Sequence, residues 1–121
     1  MEIKIGDNSA RIIPGENFDL TNSEEFKKEG KKLIEKDIEN IVLDFKKVNE
    51  LDSSAIGRIL FLNKITKDKN IKLIIENVNS DYVKKVFDML DLGEIIEIKE
   101  WFFINKTSAI KINAEVIFMS K

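Results

Sequence analysis

Three short apolar runs, Ile41-Val42-Leu43-Asp44-Phe45, Ile71 to Ile75 and Ile95 to Ile98, are separated by two longer stretches whose apolar residues recur every three or four positions. Short β-branched runs bounded by polar residues read as buried strands, and the spacing between them reads as amphipathic helix. Strand, helix, strand, helix, strand with short connections leaves little choice of architecture. Each helix must cross over right-handedly, and the strands it joins lie parallel in one sheet. The first helix opens at Ser53-Ser54 and runs to about Lys69. The second is capped by Ser80 or Asn79 and carries Val83, Val86, Phe87 and Leu90 on one face, before Leu92-Gly93 ends it.

Upstream, Glu2 to Ile5 and Ala10 to Ile13 flank a Gly6-Asp7-Asn8-Ser9 turn, which reads as a β-hairpin, and Pro14-Gly15 stops its second strand. Thr21 with Glu24 three residues on makes a capping-box pattern ahead of Phe26, Gly30, Leu33 and Ile34, the apolar face of a further helix. Beyond Ile98 two readings stand. Ile110, Ile112, Ala114, Val116 and Phe118 alternate like a strand that Trp101 to Ile104 could pair with, yet Thr107 or Ser108 would cap a helix. The expectation is one α/β domain over residues 1–98: a sandwich with a mixed sheet, an N-terminal antiparallel hairpin and parallel central strands packed by helices. Residues 99–121 form a C-terminal extension packed on the same domain, as strand or helix. A chain of 121 residues that is 43% hydrophobic can bury such a core without staples.

Composition removes several function classes. The sequence has no Cys and no His, so it has no disulfide, no thiolate nucleophile, no Cys-based zinc site and no Ser-His-Asp triad. Lys and Arg number 20 against 22 Asp and Glu, with the signs interspersed, so a net charge of -2 gives no general attraction to nucleic acid or an anionic membrane. No apolar run approaches the length of a bilayer span, and Met1-Glu2-Ile3-Lys4-Ile5 is not a signal peptide, so a cytoplasmic protein is expected. There is no Gly-rich phosphate loop, and no cofactor is expected.

The motif that carries chemistry is Leu51-Asp52-Ser53-Ser54-Ala55-Ile56-Gly57. It places a hydroxyl in the first turn of a helix, where backbone amides and the helix dipole favour negative charge. That setting suits a phosphorylation switch. It equally suits an ordinary cap, because Asp and Ser satisfy first-turn amides without carrying any signal.

The order of elements, this motif, the strand Ile41 to Phe45 and the segment Val83-Lys84-Lys85-Val86-Phe87-Asp88-Met89-Leu90-Asp91-Leu92 together resemble the bacterial anti-sigma-factor antagonist family, whose fold is the STAS domain. The resemblance runs from about Ile3 to Ile98, with weaker support from Pro14-Gly15-Glu16-Asn17-Phe18-Asp19. It implies a partner that is both anti-sigma factor and serine kinase, phosphorylation of the second serine, Ser54, and a loop acid near the partner, Asp19. A serine phosphatase would reverse the modification, and self-association is compatible with the sequence. Ala55 stands where many members have Gly, and Asn17-Phe18 makes the loop before Asp19 one residue longer than usual.

At 100° per residue, Ala55, Ile56, Ile59 and Leu62 share the side of the helix that should face the sheet, whereas Ser54, Arg58, Phe61 and Ile65 share another. The second set either faces solvent as an apolar anchor beside the serine or packs under a neighbouring element. With Asp19, Asp52 and Ser53, these residues make the expected partner-binding face. One competing reading is a STAS-type scaffold or regulatory module in another signalling assembly, without sigma-factor control. The other is an enzyme using Ser53 or Ser54, which would need a base that a chain without His does not place beside it. The expectation is a substrate of a kinase and not an enzyme.

Overall fold

A computed structural model describes residues 1–99. The hairpin forms as expected, with β1 (Glu2–Ile5) antiparallel to β2 (Ser9–Ile13) and Ile3 opposite Ile12. After a two-residue strand, β3 (Asn17–Phe18), comes α1 (Leu20–Leu33), then β4 (Asn40–Asp44), a second two-residue strand β5 (Glu50–Leu51) and α2 (Ser53–Asp68). The chain continues through β6 (Lys72–Glu76), α3 (Asp81–Met89), a 3-10 turn at Leu92–Glu94 and β7 (Glu97–Ile98). The main sheet has the order β1-β2-β4-β6-β7, antiparallel only at its first pair.

Because β2, β4, β6 and β7 step in one direction across the sheet, right-handed crossovers put α1, α2 and α3 on the same face. The core lies between. Ala10, Ile12, Ile41, Leu43, Leu73 and Ile75 alternate inward from the strands and meet Phe26, Leu33, Ala55, Ile59, Leu62, Val83 and Phe87 of the helices. Four aromatic rings run through it from α1 to α3: Phe26 to Phe18 at 4.9 Å, Phe18 to Phe45 at 6.2 Å and Phe45 to Phe87 at 5.5 Å. All four are fully buried, each burial being worth about 2–3 kcal/mol.

Several local expectations are corrected. The cap of α1 is Asp19 with Asn22, not Thr21 with Glu24, because buried Phe18 fixes the chain just ahead and leaves Asp19 in extended backbone at the helix start. Asn17-Phe18, read as loop, is strand: it pairs in parallel with Glu50-Leu51. The third apolar run contributes only Glu97–Ile98 to the sheet, since Asp91 turns left-handed (φ 51°) and Leu92–Glu94 forms a 3-10 turn. Ser80, one of the two candidates, caps α3. The alternatives for the tail fall outside the described residues. Among the described residues no helix is long and apolar enough to cross a membrane.

Candidate functional site

The β3–β5 pairing decides where the sequence-predicted residues meet. Asn17 lies opposite Glu50 and Phe18 opposite Leu51, so the next residues, Asp19 and Asp52, stand side by side at the starts of α1 and α2. The join is reinforced by the Asp52 amide donating to the Phe18 carbonyl (3.2 Å) and by the Asn49 and Glu50 amides donating to the Glu16 carbonyl (2.8 and 3.2 Å). The Ser80 hydroxyl ties in the third helix: it accepts from the Val83 amide (3.2 Å) and donates to the Asn49 carbonyl (3.0 Å). Three helix N-termini therefore share the edge where the parallel strands end.

Each cap is specific. The Asp19 carboxylate accepts from the Thr21 amide (3.0 Å) and hydroxyl (2.6 Å), while the Asn22 side-chain oxygen accepts from the Asp19 amide (3.0 Å). Asp52 serves two helices at once. Its Oδ1 accepts from the Ala55 amide of α2 (3.0 Å), and its Oδ2 accepts from the Leu20 amide of α1 (3.1 Å). Asp52 thus does the capping for which Ser53 was the alternative. The serines are left unengaged: Ser53 is exposed, Ser54 is half-buried, and among the described residues neither hydroxyl makes a hydrogen bond. Ala55 is fully buried, which explains a small residue there.

Arg58, Phe61 and Ile65 do share the Ser54 side of α2, and that side meets α1. Arg58 Nη2 donates to Glu24 Oε1 at 2.7 Å, the Lys27 ammonium lies 5.3 Å from the Phe61 ring centre, and Ile65 packs against the core. All three are half-buried: each meets α1 or the core on one side and keeps an exposed part on the Ser54 side of α2, so neither of the two geometries open from sequence holds in full. Ile56, expected to face the sheet, is only partly buried at the core's margin.

Beside the serines an open cleft of about 350 Å³ is lined by Asn17, Asp19, Glu50, Leu51, Asp52 and Tyr82. Its charge is negative. Tyr82 and Leu20, 53% and 71% exposed, flank this edge and were not singled out from sequence. Leu20 directly follows the Asp19 cap and Tyr82 is the second residue after the Ser80 cap, so a large apolar group in the first turn of each helix is the one signal that could have marked them.

A second polar cluster ties the strands together. Arg11 of β2 donates to Asp44 of β4 (2.9 Å) and to Glu76 of β6 (3.2 Å), and Asp44 also accepts from the Asn77 side chain (2.9 Å) and the Lys46 amide (3.1 Å). Burial pushes the Asp44 carboxyl up, but these hydrogen bonds and the Arg11 charge outweigh it and hold the group below the usual carboxylate range. Among the described residues no group of acidic side chains is arranged to hold a metal ion.

A family model described as the STAS domain matches residues 9–109. Among solved structures, TM1081 of Thermotoga maritima superposes with a TM-score of 0.73 at 23% identity, covering 80% of this chain and 83% of that one. The anti-sigma factor antagonist SpoIIAA in its unphosphorylated form gives 0.65 at 18% identity, over 90% of this chain and 98% of that one. The phosphorylated form of Bacillus SpoIIAA gives 0.65 at 19% identity, over 88% and 97%. Sulfate transporter 3.1 of Arabidopsis thaliana is 27% identical over 77 residues, 64% of this chain but only 12% of that protein's length.

Proposed function

The chain belongs to the STAS domain family, and from that premise we propose that it is an anti-sigma-factor antagonist switched at Ser54. Unphosphorylated, it binds an anti-sigma factor that is also a serine kinase; phosphorylated, it lets that partner go. The observation that carries the reading is the Ser54 hydroxyl, unengaged in the first turn of α2 while Asp52 does the structural work of the cap. Kinase transfer would form the Oγ–P bond, break the bond from the γ-phosphorus to ADP and release the hydroxyl proton, with the ATP chemistry supplied by the partner. This protein is then substrate, not enzyme, and a serine phosphatase resets it.

The proposed docking face joins the cleft rim of Asp19, Asp52 and Ser53 to the ridge of Arg58, Phe61 and Ile65. A phosphate adds about -1.5 to -2 charges where a helix dipole favours it by roughly 0.3–1 kcal/mol, although Asp52 opposes it. The fold should accept the group, because it is added at an exposed helix start whose cap is already made by Asp52. The partner cannot accept it so easily. Burying an unpaired dianion at the interface costs several kcal/mol, and each ~1.4 kcal/mol weakens binding tenfold.

Calorimetry with the cognate kinase tests this reading. Ser54→Asp should bind at least tenfold more weakly than wild type, and equal affinities would refute the switch. Intact mass after incubation with kinase and ATP should rise for wild type and not for Ser54→Ala. The match to a small part of a sulfate transporter favours a second reading, a STAS module regulating some other assembly. A wild-type protein that gains no phosphate from any candidate kinase would favour that alternative.

A further inference from the structure

Arg58 is held in an arrangement that leaves it incompletely bonded. Its Nη2 donates to Glu24, yet its Nε is buried and, among the described residues, has no acceptor. A buried donor without a partner is unfavourable, so any acceptor brought within reach gains a hydrogen bond that the resting protein lacks. Glu24 is a weak competitor because its carboxylate is 63% exposed and its ion pair is screened by water. Arg58 lies four residues after Ser54, and side chains on a helix lean toward its N-terminus, so the Arg58 stem runs back over the turn that carries the serine.

We infer that phosphorylation of Ser54 draws Arg58 off Glu24 and onto the phosphate, with Nε and one Nη donating to two of its oxygens. The inference rests on Ser54 being the modified residue. A doubly charged group with three acceptor oxygens is the better match for a guanidinium fork than a solvated carboxylate. The exchange carries the signal sideways: Glu24 is left as a bare carboxylate on α1 and the α1–α2 brace beside Phe61 is undone. A partner seated on both helices then meets a changed α1 as well as a charge on α2. Arg58 is in this sense a positioning residue for the switch.

The test uses full-length protein carrying phosphoserine at position 54 inserted during translation, with the phosphate followed by phosphorus NMR as pH is varied. No kinase is involved, so failure to be phosphorylated by any kinase would sink the proposed function without touching this inference, and the reverse also holds. The phosphate's second pKa should be about half a pH unit lower in wild type than in Arg58→Gln, because a nearby cation favours the dianion. Arg58→Lys should recover part of that difference, and Glu24→Gln, which removes the competitor, should lower the value further. A purely structural Arg58 would change thermal stability but not this titration. Identical phosphate titrations in wild type and Arg58→Gln overturn the inference. If Arg58→Gln does not fold, Glu24→Gln decides alone, and an unchanged phosphate pKa in that variant overturns it equally.

Discussion

Gly57 stands on the exposed side of α2 with nothing within 4 Å of where a Cβ would be. A helix-interior glycine costs about 1 kcal/mol relative to alanine, so Gly57→Ala should stabilise the protein by about 0.5–1 kcal/mol and raise its melting temperature. Gly30 is the opposite case. A Cβ there would meet Leu62 Cδ1 at 3.0 Å, and Leu62 is too tightly buried to retreat, so Gly30→Ala should lose about 1 kcal/mol despite the better helix former. Phe61→Ala removes the ring that Lys27 covers and should weaken binding of the proposed kinase partner in calorimetry; unchanged affinity would remove Phe61 from the proposed docking face while leaving the proposed Ser54 switch intact. Helical spacing did place Gly30 inward, and it grouped Arg58, Phe61 and Ile65 with Ser54. Spacing alone could not say whether that group met water or a neighbour. Deciding it required knowing that α1 runs alongside, with Glu24 and Lys27 at the matching level.

At the scale of elements, one carboxylate joins two helices. Asp52→Ala should cost about 1–2 kcal/mol in urea unfolding, as for a lost helix cap, with an added penalty for the Leu20 amide it abandons. Asp52→Asn should fall between, because its amide group offers a single acceptor oxygen where the carboxylate uses two. The longer elements were legible because a period needs length to declare itself: α2 was read to within a residue at its end, and β4 and β6 to within one residue. Strands β3 and β5 were not, since two residues carry no alternation and their pairing depends on loops brought together from distant parts of the chain. The α1 cap was misassigned for a related reason. Asp19, Thr21 and Asn22 are all good cap residues, and only the burial of Phe18 in the tertiary structure selects among them.

For the molecule as a whole, the Arg11–Asp44–Glu76 cluster makes stability depend on acidity in a defined direction. The Asp44 carboxyl titrates lower when folded than in the unfolded chain, so its contribution is complete above the ordinary carboxylate range and is lost as pH falls through the native value. Asp44→Asn should therefore cost about 2–3 kcal/mol near neutrality, the range for losing hydrogen bonds to a charged group, and the gap from wild type should narrow below about pH 4. Urea unfolding at a series of pH values checks both statements. The parallel order of the central strands was legible from the alternation of apolar runs and helical segments, because chirality permits so few ways to connect them. The Arg11 cluster was not, since its members lie 33 and 65 residues apart and each reads alone as ordinary surface charge. The sheet's polarity also has a practical side. Met1 lines a pocket with Pro14, Gly15, Phe18 and Asn22, next to the α1 cap, whereas exposed Asp7 sits at the tip of the hairpin, where β2 begins and not where it ends. A fluorophore or surface tether attached at Asp7 is carried at the opposite end of the sheet from Ser54, while the same handle on Met1 would crowd the edge proposed for docking.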